Sequence, residues 1–261
     1  MIEKNLNSVL ERIQKSAEKT GRKKEDIKLV VVTKNVPVED IQRVIEIGIK
    51  DIGENRIQEA EEKYSKLPTS NLQLHWHMIG HLQTNKVKKA VQIFDLIQSV
   101  DSLHLAEEID NQAKKINKVQ DCLIEVKVSP EESKYGCPPE KLKELIEEIT
   151  KLKNIHICGL MAMAPFFENP ELTRPYFRRA KELYDEFYSF FLPPTTYTLL
   201  PTPYPLHPTP YTLPPTPYTL PPTPYTLSPI LSMGMSSDFE IAIEEGANMV
   251  RIGTAIFKGK A

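Results

Sequence analysis

Lys34 closes the run Lys28-Leu29-Val30-Val31-Val32-Thr33-Lys34. A short, mostly β-branched run predicts a buried strand, and Asn35 and Pro37 stop it before Pro37 opens a helix. A lysine therefore stands at the carboxyl end of a strand, where open parallel sheets and α/β barrels keep their chemistry. Apolar neighbours there would strip it of water, lower its pKa and make the amine a Schiff-base nucleophile. Position alone favours a lysine that simply reaches water; the rest of the chain reverses this.

Further segments could complete such a site. In Ser232-Met233-Gly234-Met235-Ser236-Ser237-Asp238 a strand meets a helix through small and hydroxyl residues, which suits an anion, with Asp238 as candidate N-cap. In Val250-Arg251-Ile252-Gly253-Thr254 another strand turns through glycine into a hydroxyl residue. Barrels often bind phosphate with the loops after strands seven and eight. Gly53-Glu54-Asn55 offers Asn55, either as a ligand contact or as a helix cap. A lysine nucleophile with a phosphate cradle points to pyridoxal phosphate, which also needs a partner for its ring nitrogen. Arg251 is the candidate: it stays charged, cannot accept the pyridinium proton, and so would keep the ring nitrogen unprotonated. A structural ion pair is its other reading. His75 and His77 share one strand face and His81 follows, but no carboxylate or cysteine near them in sequence completes a metal set, so no metal is expected. Gln83, Asn85 and Lys86 read as a solvated helix start or as a contact at the cofactor rim.

The elements that must position these residues alternate. Strands are expected at 28–33, 51–53, 74–79, 96–100, 122–128, 155–161, 230–233 and 249–252. Helices follow near 38–48, 55–66, 83–92, 102–117, 139–152, 171–188 and 237–245, and an N-terminal helix ends at Gly21. Eight such units predict a (β/α)8 TIM barrel over an open doubly wound sheet. No Gly-x-Gly-x-x-Gly follows the first strand, which also disfavours the open sheet. Between the helix after strand six and strand seven, residues 189–230 hold 14 of the 22 prolines. A seven-residue repeat starts there at Leu192, Leu199, Leu206, Leu213 and Leu220. Its prolines forbid a helix and argue against a sheet, leaving polyproline II or disorder. A ligand for SH3- or WW-type domains is its functional reading.

A chain of 261 residues with a formal net charge of −2 gives no electrostatic case for nucleic acid or an anionic membrane. Three cysteines without Cys-x-x-Cys spacing, an amphipathic N-terminus without a signal core and no apolar run of membrane length predict a cytoplasmic protein.

Val31-Val32-Thr33-Lys34, Gly53-Glu54-Asn55 with Gln58-Glu59, and Trp76-His77-x-Ile79-Gly80-x-Leu82-Gln83-x-Asn85-Lys86 occur in order. So do Gly159-Leu160-Met161, Ser232-Met233-Gly234-Met235-Ser236-x-Asp238 and Val250-Arg251-Ile252-Gly253-Thr254-x-Ile256-Phe257. With these motifs the chain resembles the pyridoxal phosphate homeostasis family, throughout except for the repeat. The resemblance implies one barrel over 1–261, like the N-terminal domain of alanine racemase. It implies pyridoxal phosphate on Lys34, Arg251 at the ring nitrogen, and phosphate on Ser236, Gly253 and Thr254. It also implies a role in vitamin B6 and amino-acid or keto-acid balance without established turnover, with cofactor-dependent apo-enzymes as partners and no assigned catalytic residue. The alternative is an amino-acid racemase. Racemases of this fold draw a tyrosine from a second β-domain, and the sequence ends at Ala261 just after strand eight, so a monomeric carrier is expected.

Overall fold

Alternation along each strand sorts side chains into two layers, and this sorting closes the sheet. The computed structural model describes residues 1–67, 74–129, 135–192 and 228–259. Among them, β1 (Lys28–Val32), β2 (Asp51–Glu54), β3 (His75–Met78), β4 (Leu96–Val100), β5 (Gln120–Val126), β6 (Ile155–Ala162), β7 (Ile230–Ser232) and β8 (Met249–Ile252) form a closed barrel in sequence order. Every neighbouring pair is parallel, including β8 with β1, where Val31 stands opposite Ile252. Residues such as Val30, Leu96, Leu123, Ile230 and Met249 turn inward. Their neighbours Val31, Ile97, Ile124, Leu231 and Val250 turn outward against the helices.

The crossover helices are α2 (Val38–Glu46), α3 (Ile57–Lys66), α4 (Val87–Ile93), α5 (Leu103–Lys115), α6 (Leu142–Ile149), α7 (Arg174–Glu186) and α8 (Phe239–Glu244). The expected (β/α)8 barrel is what the chain forms. Two differences have local causes. Strand five starts at Gln120 rather than 122, because Gln120 and Asp121, though polar, are buried and paired with Ile155 and His156. Helices expected from 83 and 139 open as 3-10 turns, and α-helix begins only at Val87 and Leu142.

Outside the barrel, α1 (Ile2–Lys19) buries Leu6, Val9, Ile13 and Ala17 on one face. Gly21 follows it at φ 71°, the left-handed residue that ends the helix. This helix packs on α8 and on α9 (Thr254–Phe257), a short turn of helix after β8, and Asn5 Nδ2 donates to Ile256 O at 2.9 Å. The N-terminal helix thereby braces the segment that carries Gly253 and Thr254.

The segment expected at 189–230 begins folded, in a 3-10 turn Tyr188–Phe191 where Phe191 is buried and stacked on Tyr184. At its other end, Pro229 O accepts from Tyr184 Oη at 2.9 Å and from Asn248 Nδ2 at 2.8 Å. The conformation expected for the repeat itself concerns residues outside the described ones. No helix among the described residues is long and apolar enough to cross a membrane.

Candidate functional site

Lys34 lies two residues past β1 in a turn, in step with inward-facing Val30 and Val32. It is exposed, and this corrects the expectation of a desolvated lysine. The strand ends before it, and its neighbour Thr33 points outward to α3, so no apolar wall closes over the amine. Its backbone is pinned instead. Lys63 Nζ donates to Thr33 O and to Glu54 Oε1, both at 2.7 Å, and Thr33 Oγ1 donates to Glu54 Oε1 at 2.6 Å. On the other side Asn35, at φ 55°, donates its amide to Glu59 Oε2 at 3.1 Å. Burial raises the Glu54 carboxyl, against the opposing pull of Lys63 and Thr33. Glu54 and Glu59 thus hold an exposed amine on a fixed turn.

Asn55 follows β2 at the same rim, since Gly53 stands opposite Val32. Its Oδ1 is buried with no hydrogen-bond partner. A Cβ on Gly80 would lie 2.4 Å from Asn55 O, so only glycine lets the chain after β3 pass this close. On the other flank of β1, a Cβ on Gly253 would lie 2.9 Å from Val32 O. The turn into Thr254 is pressed against β1 just below Lys34.

After β7, Gly234 adopts φ 91° and passes over α8, where a Cβ would meet Ala242 Cβ at 2.6 Å. Asp238 holds the N-cap position of α8, but its carboxylate accepts from Met235 N at 2.6 Å and makes no cap bond, correcting the expected simple cap. The closed loop sets Ser236 Oγ 3.2 Å from the amide of Ala255, which donates to it. Asn55, Lys34, Gly253, Thr254 and Ser236 therefore occupy one arc of the C-terminal rim, over β2, β1, β8 and β7.

Arg251 lies below this arc, inside the barrel. It is 3% exposed and donates to Ser232 Oγ at 2.6 Å and Ala162 O at 3.1 Å. Burial lowers it to about 10, against Glu125 and Asp238, so it remains a cation at neutral pH. Burial pushes Glu125 up to about 7, with Arg251 pulling it down and Asp101 pushing it further up. Gln98, His77 and Asp51 continue the polar interior. The sequence does not single out Gln98, Glu125 and Asp51, because single polar residues within strands look the same facing in or out.

His75 and His77 do share the inward face, as expected. A carboxylate does lie with them: Asp51 Oδ1 is 3.1 Å from His77 Nε2, 3.3 Å from His75 Nδ1 and 3.6 Å from Lys28 Nζ. It comes from β2, which is why spacing within strand three did not reveal it. Lys28 supplies the cation of that cluster. Among the described residues one other group, Asp121, His156 and Cys158, gathers three potential metal donors. Burial raises the Cys158 thiol well above its usual range, and three donors fall short of a closed tetrahedral set. Gln83, Thr84 and Asn85 line a polar recess with His81 and Asp101.

The model for the N-terminal domain of alanine racemase matches residues 5–199. A pyridoxal phosphate homeostasis protein of Aquifex aeolicus is 45% identical over 252 residues, covering 97% of this chain and 95% of that protein. One from a Synechocystis strain is 35% identical, covering 88% and 90%. Among solved structures, PipY of Synechococcus elongatus with PLP bound superposes at TM-score 0.75 with 30% identity, covering 98% of this chain and all of that one. A Clostridium difficile alanine racemase shares the fold at TM-score 0.61 with 17% identity, and this chain covers 56% of its length. Fold and rim thus define a barrel of the alanine racemase N-terminal-domain class with a lysine after its first strand. Within that class, the chain belongs to the pyridoxal phosphate homeostasis protein family.

Proposed function

We propose that this chain binds pyridoxal 5'-phosphate through Lys34 and serves intracellular balance of that cofactor, holding it rather than turning substrate over. The observation that carries the reading is the pinned, exposed amine of Lys34 beside the Gly253–Thr254 turn, in a chain of this family. The donor set fits the group part by part. Lys34 offers an amine to the aldehyde. Ser236 and Thr254 hydroxyls and the bare Gly253 turn suit the phosphate, and the orphaned Asn55 Oδ1 awaits a donor. Arg251 is a fixed cation that cannot take a proton from the ring nitrogen. When bound, the cofactor supplies an aldehyde reversible towards amines and a ring that draws charge.

The protein works in the cytosol as a monomer that supplies cofactor-dependent apo-enzymes. The buried, unpaired Cys122, Cys137 and Cys158 support a reducing compartment. Titration with pyridoxal phosphate should give a saturable absorbance band that Lys34→Ala abolishes. An unchanged band in that variant would contradict the reading. The rival, an amino-acid racemase, predicts exchange of the α-hydrogen of L-alanine in deuterated water at ordinary enzyme rates, roughly 1–1000 per second. The carrier reading predicts no exchange on that scale.

A further inference from the structure

A TIM-barrel interior is normally filled by branched apolar side chains. Here a polar thread crosses it from rim to floor. Arg251 Nη1 donates to Ser232 Oγ at 2.6 Å, and Ser232 Oγ donates to Gln98 Oε1 at 2.7 Å. The Gln98 amide nitrogen is 2.9 Å from His77 Nδ1, and His77 Nε2 is 3.1 Å from Asp51 Oδ1. Ser232, Gln98 and His77 are fully buried.

With a neutral His77, the inventory of donors gives the thread one direction. Arginine only donates and a carboxylate only accepts. Ser232 Oγ accepts from Arg251 and donates its own proton to Gln98, with Oε1 upward and the amide NH2 downward. That NH2 requires a bare Nδ1 on His77, which leaves the His77 proton on Nε2, facing Asp51. Burial lowers His77, against the pull of Asp51, so the neutral ring that this pattern needs is the form held at neutral pH. Flipping the Gln98 amide would set its oxygen against the bare Nδ1 of a neutral His77 and take from the Ser232 proton its Gln98 acceptor. An unmade bond in such a place costs more than a made one contributes.

We propose that Gln98 is a positioning residue for the cofactor site: through Ser232 it fixes the Arg251 guanidinium, and His77 on Asp51 fixes Gln98. The inference rests on the cofactor reading above and adds to it the residues that aim Arg251. Held from below at Nη1 and from the side by Ala162 O at Nη2, the guanidinium cannot swing away and admit water to the ring nitrogen. The other charges facing Arg251 are Glu125 and Asp238, and those facing His77 besides Asp51 are Lys28 and Asp95.

The full-length protein loaded with ring-15N pyridoxal phosphate tests this. In the wild type the ring nitrogen should remain unprotonated across neutral pH. In Gln98→Met, which nearly conserves volume but removes both bonds, it should titrate, and the dissociation constant should rise about tenfold. Ser232→Ala should do the same, and the double variant should be no worse than either, because both cut one thread. If Gln98→Met keeps the wild-type ring-nitrogen profile while Lys34 still takes borohydride label, the inference falls and the cofactor reading stands. If wild-type protein takes no label, both fall. Should Gln98→Met fail to fold, the imidazole 15N spectrum of the wild type decides. A neutral His77 carrying its proton on Nε2 supports the thread, and a proton on Nδ1, alone or with Nε2, overturns it.

Discussion

Glu125 and Lys63 show what the buried charges near the site do. Glu125 has its proton held more tightly in the native barrel than in the unfolded chain, its value rising from 4.5 to about 7. Its ionisation therefore costs nothing below 4.5, destabilises the fold increasingly as pH rises to about 7, and is a constant penalty above. The span corresponds to on the order of 3 kcal/mol. Cofactor-free Glu125→Gln should be more stable than wild type at pH 8 by up to about that amount, with the gap closing towards pH 4.5. Denaturant melts across that range check it, and a gap that does not change with pH would contradict the shift. Lys63→Met leaves Glu54 buried without its cation and frees the Thr33 carbonyl. It should cost about 3–5 kcal/mol by urea melt, and a loss under about 1 kcal/mol would show that the clamp beneath Lys34 is not structural. Lys34 was legible in the sequence because β-branched residues lead into it and Pro37 stops the strand. Its exposure was not, because that depends on where the turn lifts it. Glu54 and Glu59 stood out as motif residues, but their grip on the Lys34 turn needs α3 folded back against β1.

At the scale of elements, the rim is set by close approaches of backbone. The β8 turn touches β1 where a Cβ on Gly253 would fall 2.9 Å from Val32 O. Gly253→Ala must push the Thr254 turn off β1. A loss of about 1–3 kcal/mol in stability is expected, together with weaker binding of both pyridoxal phosphate and inorganic phosphate. Unchanged phosphate affinity would place the cradle elsewhere. Strand order and the barrel were readable because eight apolar runs recur with helical patterns between them. The polar start of β5 was harder to read: Asp121 is paired with His156 on β6 and Gln120 donates to Asp95 O ahead of β4, which spacing along one strand does not reveal.

For the whole molecule, entry into β7 is fixed by folded residues on both sides. Phe191 is buried at the start of the proline-rich segment, and Pro229 O is held by Tyr184 and Asn248 at its end. A helix-to-strand connection in this fold lies at the N-terminal end of the barrel, opposite the rim. Removing residues 193–227 and joining Leu192 to Ser228 through a short Gly-containing turn should leave cofactor affinity within about twofold of wild type. A fivefold change in the length of a closed loop is worth only about 1.4 kcal/mol of closure entropy. A folded deletion variant with much weaker binding would give the segment a part in the site. The central claim is that Lys34 is the attachment point for pyridoxal phosphate. Borohydride reduction of the loaded protein, followed by proteolysis and mass mapping, tests it most directly. One pyridoxyl group on Lys34, and none after reduction of Lys34→Ala, is the predicted result, whereas a pyridoxyl group on another lysine with Lys34 unmodified would contradict it.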